Sequence, residues 1–228
     1  MRGGLTKKQI AACIKQMSGK YAPQVVFADW IQCVALSISN SVQIFHDNLW
    51  QQREEQYLAT MNRYGKEERM KMAEMAGMLI LTYEKGLGDV LGEVYMESIG
   101  GNKNSGQFFT PYSVSLATAR LTLPDTIDEN KKLSLCEPTC GSGGMVIAAA
   151  QVLQEKGINY QRVLDVVCQD LDWTAVYMCY VQLSLLGVKA IVAQGEHIIR
   201  TVYSKPFERK GVLHACEAWT FDINEKEK

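Results

Sequence analysis

The residues best suited to chemistry lie between positions 133 and 145, which read L-S-L-C-E-P-T-C-G-S-G-G-M. An apolar run ends there in a carboxylate, Glu137, and a glycine-rich turn leads into an apolar, alanine-rich helical pattern. Gly141, Gly143 and Gly144 can adopt positive φ and carry no Cβ, so backbone N–H groups can come within contact distance of a ligand. A helix that begins at this turn adds unpaired N–H groups and the positive end of its dipole. The pattern therefore predicts a strand, turn and helix that bind a nucleotide.

The residues around the turn also restrict the kind of ligand. A phosphate is disfavoured because the carboxylate of Glu137 would repel it. A phosphate-binding loop needs G-K-S or G-K-T, but Gly144 is followed by Met145, and a dinucleotide G-x-G-x-x-G fails because its third glycine position holds Val146. A nucleoside that carries an amino acid and a cationic centre suits the site better. A glycine-rich turn without any ligand remains the alternative.

The elements that must position this turn alternate between strand and helix patterns. Strands are predicted at 133–136, 163–169 and 189–194, and helices at 145–156 and 173–186. Such alternation is typical of right-handed crossovers and a parallel sheet, in which ligands bind at the carboxyl ends of the strands. The three loops at those ends each contain a carboxylate, and these are Glu137, Asp170 with Asp172, and Glu196.

Two of these carboxylates can be assigned a hydrogen-bonding partner. Asp170 ends the strand one βαβ unit after the turn, where an acidic residue can accept two hydrogen bonds from ribose hydroxyls. The alternative role, a helix cap, fits Asp172 better. Glu196 follows Gly195 after the third strand and can accept from an adenine amino group, or it is a solvated loop residue.

The first hundred residues predict an all-helical packing domain. Apolar side chains recur at helical spacing from Pro23 to Phe45, over about 49–64 and 66–85, and over 89–99, where Asp89 can cap the helix. After the loop-like G-G-N-K-N-S-G at 100–106, Thr110 is the predicted N-cap and Pro111 the first residue of a further helix. The two aromatics before Thr110 are either an apolar wall for a ligand or part of the core.

Composition limits the partners and the cellular setting that the sequence allows. The chain has 228 residues, 24 basic against 25 acidic side chains, and a net charge of −1, which does not indicate a polyanion partner. Its seven cysteines form no C-x-x-C pair and several lie in apolar runs, so we expect a reduced, cytoplasmic setting and no metal site. No stretch is expected to span a membrane.

Five motifs together resemble the modification subunits of type I restriction systems and related adenine-specific N6 DNA methyltransferases. They are D-V-L-G-E-V-Y at 89–95, G-Q-F-F-T-P at 106–111, C-E-P-T-C-G-S-G-G-M at 136–145, C-Q-D-L-D at 168–172 and G-E at 195–196. The resemblance implies a Rossmann-like methyltransferase domain at 101–228, after a helical domain at 1–100, and S-adenosylmethionine as cofactor. It implies that Phe109, Thr110 and Pro111 surround the methionine end. The other implied cofactor residues are Glu137, Thr139, Gly141 and Gly143 in the main cradle, Asp170 at the ribose and Glu196 near the adenine.

The sequence departs from this family at the catalytic motif. Members that methylate adenine use Asn, Asp or Ser followed by Pro-Pro and an aromatic, which orient the target amino group and stack on a flipped-out base. The nearest equivalent here is S-K-P-F, which makes Ser204, Pro206 and Phe207 the candidate catalytic residues. Lys205 replaces the other proline and brings a positive charge to a site that should stabilise a developing cationic amine.

A second departure is length, because the chain ends soon after the place where a fourth strand would fall. Val212 to Trp219 can supply one short strand, and the later strands of a complete methyltransferase sheet have no sequence to form them. We therefore expect a truncated domain with an open sheet edge, which favours pairing with a specificity subunit or a second copy. DNA contact would depend on the basic side chains Arg200, Lys205, Arg209 and Lys210.

Two functions follow from the resemblance. The first is transfer of a methyl group from S-adenosylmethionine to adenine N6 in DNA. The second is an inactive S-adenosylmethionine-binding module that regulates or assembles partners, having lost the methyl-transfer motif. A third reading is a fragment of a longer reading frame.

Overall fold

The computed structural model describes the backbone of residues 2–100, 109–195 and 212–215, and the side chains of 6–100 and 109–195. The helices of these residues are α1 Arg2–Met17, α2 Pro23–Val42, α3 Asn48–Met61, α4 Lys66–Tyr83, α5 Val90–Ser98, α6 Tyr112–Thr122, α7 Gly144–Glu155, α8 Tyr160–Val163 and α9 Trp173–Leu185. The strands are β1 Leu133–Glu137, β2 Leu164–Asp170, β3 Ala190–Gln194 and β4 Val212–Ala215. The predicted helices and strands are therefore present, with ends shifted by a few residues.

The helix starts follow local capping chemistry. Asp89 caps α5 by accepting a hydrogen bond from the backbone N–H of Gly92 at 2.9 Å, and Asp172 caps α9 by accepting from Ala175 at 3.0 Å. Both caps were predicted. The prediction for α6 is wrong by one residue, because Pro111 is the N-cap and the helix begins at Tyr112. The carbonyl of Pro111 accepts from the N–H of Val114 at 2.8 Å, so the turn closes on the proline rather than on Thr110.

Two further differences concern the helical half. α1 was not predicted as a separate element, although Ile10 and Ile14 at helical spacing are fully buried in it. The helix from Pro23 ends at Val42, before the predicted Phe45, and that phenylalanine is 78% exposed. The apolar stripe was continued too far because a hydrophobic residue just beyond a helix end has the same spacing as one inside it.

The sheet has the order β1-β2-β3-β4. β1, β2 and β3 are parallel, as the alternation of strands and helices predicted, and β4 pairs antiparallel with β3. β4 lies within the predicted strand at 212–219. The parallel register aligns the end of β1 with β2, with Glu137 opposite Cys168, so both strands present their carboxyl ends at the same edge.

Helix α9 connects the helical half to the sheet. It packs against β2, β3 and β4 on one side and against α2 on the other. Its middle is buried on all faces, which is typical of a helix enclosed between two layers. A single hydrophobic cluster runs from Ile10 in α1 to Val192 in β3. The domain boundary between residues 100 and 101 stays a prediction.

One helix of the described residues is long and apolar enough to cross a membrane. This is α2, with 20 residues and a mean hydropathy of 1.4, and half of that stretch is buried inside the protein. By length and apolar composition, α2 therefore comes nearer to a membrane span than was expected of any stretch. The physical reason is packing, since Phe27, Trp30 and Ile31 of α2 are core residues, and core helices meet the same criterion.

Candidate functional site

A cavity of about 410 Å³ opens at the carboxyl ends of β1 and β2. Its size falls in the range of roughly 300–1,000 Å³ that is typical of small-molecule sites. The turn after β1, the start of α7, the end of β2 and the segment before α6 form its walls. The lining residues are Asp89, Phe109, Thr110, Ser115, Thr139, Cys140, Gly141, Ser142, Gly144, Met145, Asp170 and Ala175.

The cavity contains five of the predicted cofactor residues: Phe109, Thr110, Thr139, Gly141 and Asp170. Pro111 lines a second cavity of about 570 Å³, which shares Asp89, Phe109 and Thr110 with the first. Glu137 and Gly143 belong to the same strand and turn.

Several other predicted residues lie outside the described part of the chain. They are the cofactor candidate Glu196, the catalytic candidates Ser204, Pro206 and Phe207, and the basic residues Arg200, Lys205, Arg209 and Lys210.

Two glycines of the turn are required by both conformation and space. Gly141 has φ +52°, and a Cβ at this position would lie 2.9 Å from Cδ1 of Phe109. Gly143 has φ +92°, and its Cβ would lie 3.1 Å from Sγ of Cys179. Both φ values are in the left-handed region, which side chains other than glycine rarely adopt. The turn can therefore press against Phe109 on one side and α9 on the other.

Asp170 ties the end of β2 to the turn after β1. Its Oδ2 accepts a hydrogen bond from the backbone N–H of Gly141 at 2.8 Å, and its Oδ1 accepts from the N–H of Asp172 at 3.0 Å. A carboxylate has about four lone-pair positions, so each oxygen can accept one further hydrogen bond from a ligand in the cavity. The side chain predicted to bind ribose thus lies against the turn, at the cavity wall.

Glu137 lies half-buried at the end of β1. Its Oε1 accepts from the backbone N–H of Thr139 at 3.3 Å. Burial raises the pKa of this carboxyl above its ordinary value, and the nearby charge of Asp170 adds to the increase. A cationic ligand stabilises the ionised form of a poorly solvated carboxylate more than that of an exposed one.

Sequence reasoning missed a buried polar network beneath the turn. Asp89, which is 3% exposed, accepts from Oγ of Ser142 at 2.6 Å and from Nε2 of Gln182 at 2.9 Å. Gln182 also donates to the carbonyl of Ser142 at 2.5 Å, and its Oε1 accepts from the N–H of Leu91 and the hydroxyl of Tyr83. The network connects α5 and α9 to the middle of the turn.

Burial raises the pKa of Asp89, while the hydrogen bonds from Ser142 and Gln182 act in the opposite direction. The sequence predicted this residue only as a helix cap. Its place at the start of the D-V-L-G-E-V-Y motif was the available signal for a second role. A carboxylate that caps a helix still has acceptor positions for other donors.

An aromatic row connects the helical half to the cavity wall. The ring of Phe109 meets Tyr95 edge-to-face, with centroids 5.0 Å apart, and Tyr95 meets Phe27 in the same way at 5.2 Å. Such pairs contribute roughly 0.5–1.5 kcal/mol beyond burial of their surface. Phe109 is thus both a core residue and a wall of the cavity, so the two alternatives left open by the sequence are combined.

These features define a class of protein: an α/β protein with a nucleoside-sized cavity between a glycine-rich turn and an acidic residue at the end of the second parallel strand. A sequence model of the N-6 DNA Methylase family matches residues 87–212, which is more than half of the chain. The chain belongs to this family. The predicted family, the Rossmann-like fold class and S-adenosylmethionine as the family's cofactor are thereby confirmed.

The similar proteins include the methylase subunit of the type I restriction enzyme MjaIX from Methanocaldococcus jannaschii. The two sequences are 28% identical over 131 residues, which cover 55% of this chain and 19% of that subunit. The chain therefore spans about a fifth of the length of this relative.

Two solved structures are also similar in part. The methyltransferase subunit of the type I restriction-modification system from Streptococcus thermophilus has a TM-score of 0.46 and 16% identity, over 83% of this chain and 43% of that one. A complex of DrdV with DNA has a TM-score of 0.37 and 16% identity, over 80% of this chain and 21% of that one.

Proposed function

We propose that the chain binds S-adenosylmethionine in the cavity at the ends of β1 and β2 and takes part in N6 methylation of adenine in DNA. The observation that carries the proposal is the position of Asp170, which lines the cavity and is held 2.8 Å from the N–H of Gly141. The bond holds a carboxylate with free acceptor positions beside the turn, and this supports binding of ribose hydroxyls there.

The residues present fit the cofactor. Asp170 retains acceptor positions for the ribose, and Phe109 offers an apolar face beside Thr110 and Pro111 for the methionine end. Glu137 provides a half-buried carboxylate for a ligand that carries a positive charge. The bound cofactor would supply an electrophilic methyl group on its sulfonium.

The role of this chain's described residues is to bind and orient that ligand. The turn approaches closely because Gly141 and Gly143 lack a Cβ, and Asp89 and Gln182 hold Ser142 in place from below. A pocket whose walls are fixed in advance binds without the cost of ordering them.

Transfer to adenine would require Ser204 and Pro206 to orient the amino group and Phe207 to stack on the flipped base. A second candidate function is supported by one specific observation, the lysine at position 205 where family members that methylate adenine have proline. In this alternative the chain binds S-adenosylmethionine as a regulatory or assembly module and does not transfer the methyl group.

Partners and compartment are proposed from more general features. β1 forms one edge of the described sheet, and an edge strand presents unpaired N–H and C=O groups to a specificity subunit or a second copy. DNA is the proposed substrate. The six cysteines in the described part of the chain are free thiols, which suits a reducing cytoplasm.

The first experiment is calorimetric titration of the chain with S-adenosylmethionine. Asp170→Ala should weaken binding by about 10- to 100-fold, because charge-assisted hydrogen bonds are worth roughly 1.5–3 kcal/mol. The matched control is Asp165→Ala, since Asp165 lies on the same strand and pairs with Lys132 and Lys189 away from the cavity. Equal affinity in wild type and Asp170→Ala would refute the assignment.

The second experiment separates the two functions. Radiolabelled methyl transfer to adenine-containing DNA should be measured for wild type and Phe207→Ala under conditions where both bind the cofactor. Transfer by wild type that is lost in Phe207→Ala supports the enzyme. Cofactor binding with no transfer by wild type, also in the presence of a specificity subunit, supports the binding module.

A further inference from the structure

Three cysteines from distant parts of the sequence meet behind the cofactor cavity. Cys140 is in the turn after β1, Cys168 in β2 and Cys179 in α9, and their Sγ atoms all lie within 4.8 Å of one another. Cys140 is 5% exposed, and the other two are fully buried. We call these residues the thiol cluster. The absence of a C-x-x-C pair gave no sign of it in the sequence.

The fold holds the three thiols together through the same contacts that shape the turn. The N–H of Cys140 donates to the carbonyl of Gln169 at 2.8 Å, which ties the turn to β2 beside Cys168. Gly143 allows α7 to begin close to α9, because a Cβ there would lie 3.1 Å from Sγ of Cys179. The cluster therefore depends on three elements whose relative positions are fixed independently of the thiols.

The geometry and the ligand type suit a metal ion. Sulfur ligands lie about 2.3 Å from a bound d¹⁰ ion, so three of them around one ion in a plane are about 4.0 Å apart. The separations in the cluster, at most 4.8 Å, need only a small contraction. A set made entirely of thiols selects soft ions over Mg²⁺ or Ca²⁺.

The number of ligands distinguishes among the soft ions. Structural Zn²⁺ sites are almost always four-coordinate. Within the described residues, the group contains three ligands, and no fourth His, Cys, Asp or Glu belongs to it. Cu(I) accepts three thiolates without a fourth ligand, and we propose that Cys140, Cys168 and Cys179 form a three-coordinate site for Cu(I).

An ion can reach this site from the cavity, because Cys140 also lines the cavity wall. Once bound, it would connect the turn, β2 and α9 by metal–sulfur bonds, in addition to the hydrogen bonds already described. Binding to the folded chain alone would raise its thermal stability. The proposal does not depend on the proposed function, since none of its steps involves S-adenosylmethionine.

The test is an anaerobic titration of the reduced chain with Cu(I) held by a chromogenic chelator such as bicinchoninate. We expect the folded chain to remove one equivalent from the chelator, with a thiolate-to-copper absorption band and one copper per chain in native mass spectrometry. Cys168→Ala and Cys179→Ala should each lower the affinity by roughly 100-fold or more, since even outer-shell changes cost 10–100-fold. Cys33→Ala is the matched control, because Cys33 is a buried cysteine of α2 outside the cluster.

Folding of each variant is checked by circular dichroism and thermal unfolding without copper. Alkylation of the wild-type chain provides a readout that needs no variant. Peptide mapping after alkylation at a urea concentration that exposes the buried thiols of the copper-free chain should find Cys140, Cys168 and Cys179 protected by one equivalent of Cu(I). The proposal is overturned if wild type takes no copper from the chelator, if folded Cys168→Ala and Cys179→Ala bind as tightly as Cys33→Ala, or if protection falls on other cysteines.

Discussion

The buried carboxylate of Asp89 gives a sharp test of how the turn after β1 is supported. It accepts hydrogen bonds from the N–H of Gly92 at 2.9 Å, from Oγ of Ser142 at 2.6 Å and from Nε2 of Gln182 at 2.9 Å. Asp89→Ala leaves these three buried donors without that acceptor. Each unsatisfied buried polar group costs about 1–3 kcal/mol, and Gln182 keeps its bond to the carbonyl of Ser142. We therefore expect the free energy of unfolding to fall by about 3–5 kcal/mol.

Asp89→Asn is the informative second variant. The amide keeps the size of the side chain and an oxygen that can accept from Gly92, and the hydroxyl of Ser142 can rotate to accept from the new NH₂ group. It also removes a charge that burial disfavours. We expect this variant to lose less than about 1.5 kcal/mol.

Urea unfolding, followed by far-ultraviolet circular dichroism, measures both changes. Asp47→Ala is the matched control, because Asp47 caps α3 at an exposed site by accepting from Trp50 at 2.9 Å and makes no contact with the turn. Loss of a cap alone costs about 1 kcal/mol. The reasoning is refuted if Asp89→Ala is no more destabilising than Asp47→Ala, or if Asp89→Asn is as destabilising as Asp89→Ala.

Three further predictions concern pH, the turn and the ligand charge. Burial raises the pKa of Asp89, so the stabilisation that this residue provides is complete below the unfolded pKa near 3.8 and is lost as pH rises through the folded pKa. The urea midpoint of Asp89→Asn should therefore rise relative to that of wild type as pH increases. Gly141 has φ +52°, and a Cβ there would lie 2.9 Å from Phe109, so Gly141→Ala should lower the free energy of unfolding by about 1–3 kcal/mol. In the same assay Gly77→Ala, at an open position of α4, should leave the free energy of unfolding equal or higher. Glu137→Gln should weaken S-adenosylmethionine binding about tenfold by calorimetry. The affinity of wild type, but not that of Glu137→Gln, should fall as pH drops through the raised pKa of Glu137, because the carboxyl then loses its charge. A pH-independent wild-type affinity would contradict this last prediction.

The sequence was sufficient for those parts of the site that depend on local order. The glycine-rich turn after β1 and Asp170 at the end of β2 follow from periodicity and strand alternation, since parallel strands bring their carboxyl ends to the same edge. The caps at Asp89 and Asp172 also follow, because a capping bond joins residues three apart.

The parts that sequence reasoning missed all depend on distant contacts. The bonds from Asp89 to Ser142 and Gln182 cross 53 and 93 residues, and no periodicity reports them. The thiol cluster brings a turn, a strand and a helix together by packing, and Cys168 and Cys179 have the local sequence of ordinary small core residues. At α6 the error was local, because both Thr110 and Pro111 are acceptable near a helix start and the sequence does not distinguish the N-cap from the first helical residue.

The contacts around Ser142 and Phe109 indicate what the helical half contributes to the α/β half. The turn after β1 needs left-handed glycines, and such a segment gains little stability from its own side chains. The helical half supplies the stabilising contacts that the turn lacks. These are the carboxylate of Asp89 below Ser142 and the ring of Tyr95 behind Phe109. Helix α9 adds Gln182 at the same point. Because these ties are buried and come from separate elements, the turn can keep one shape while its open side remains free for a ligand.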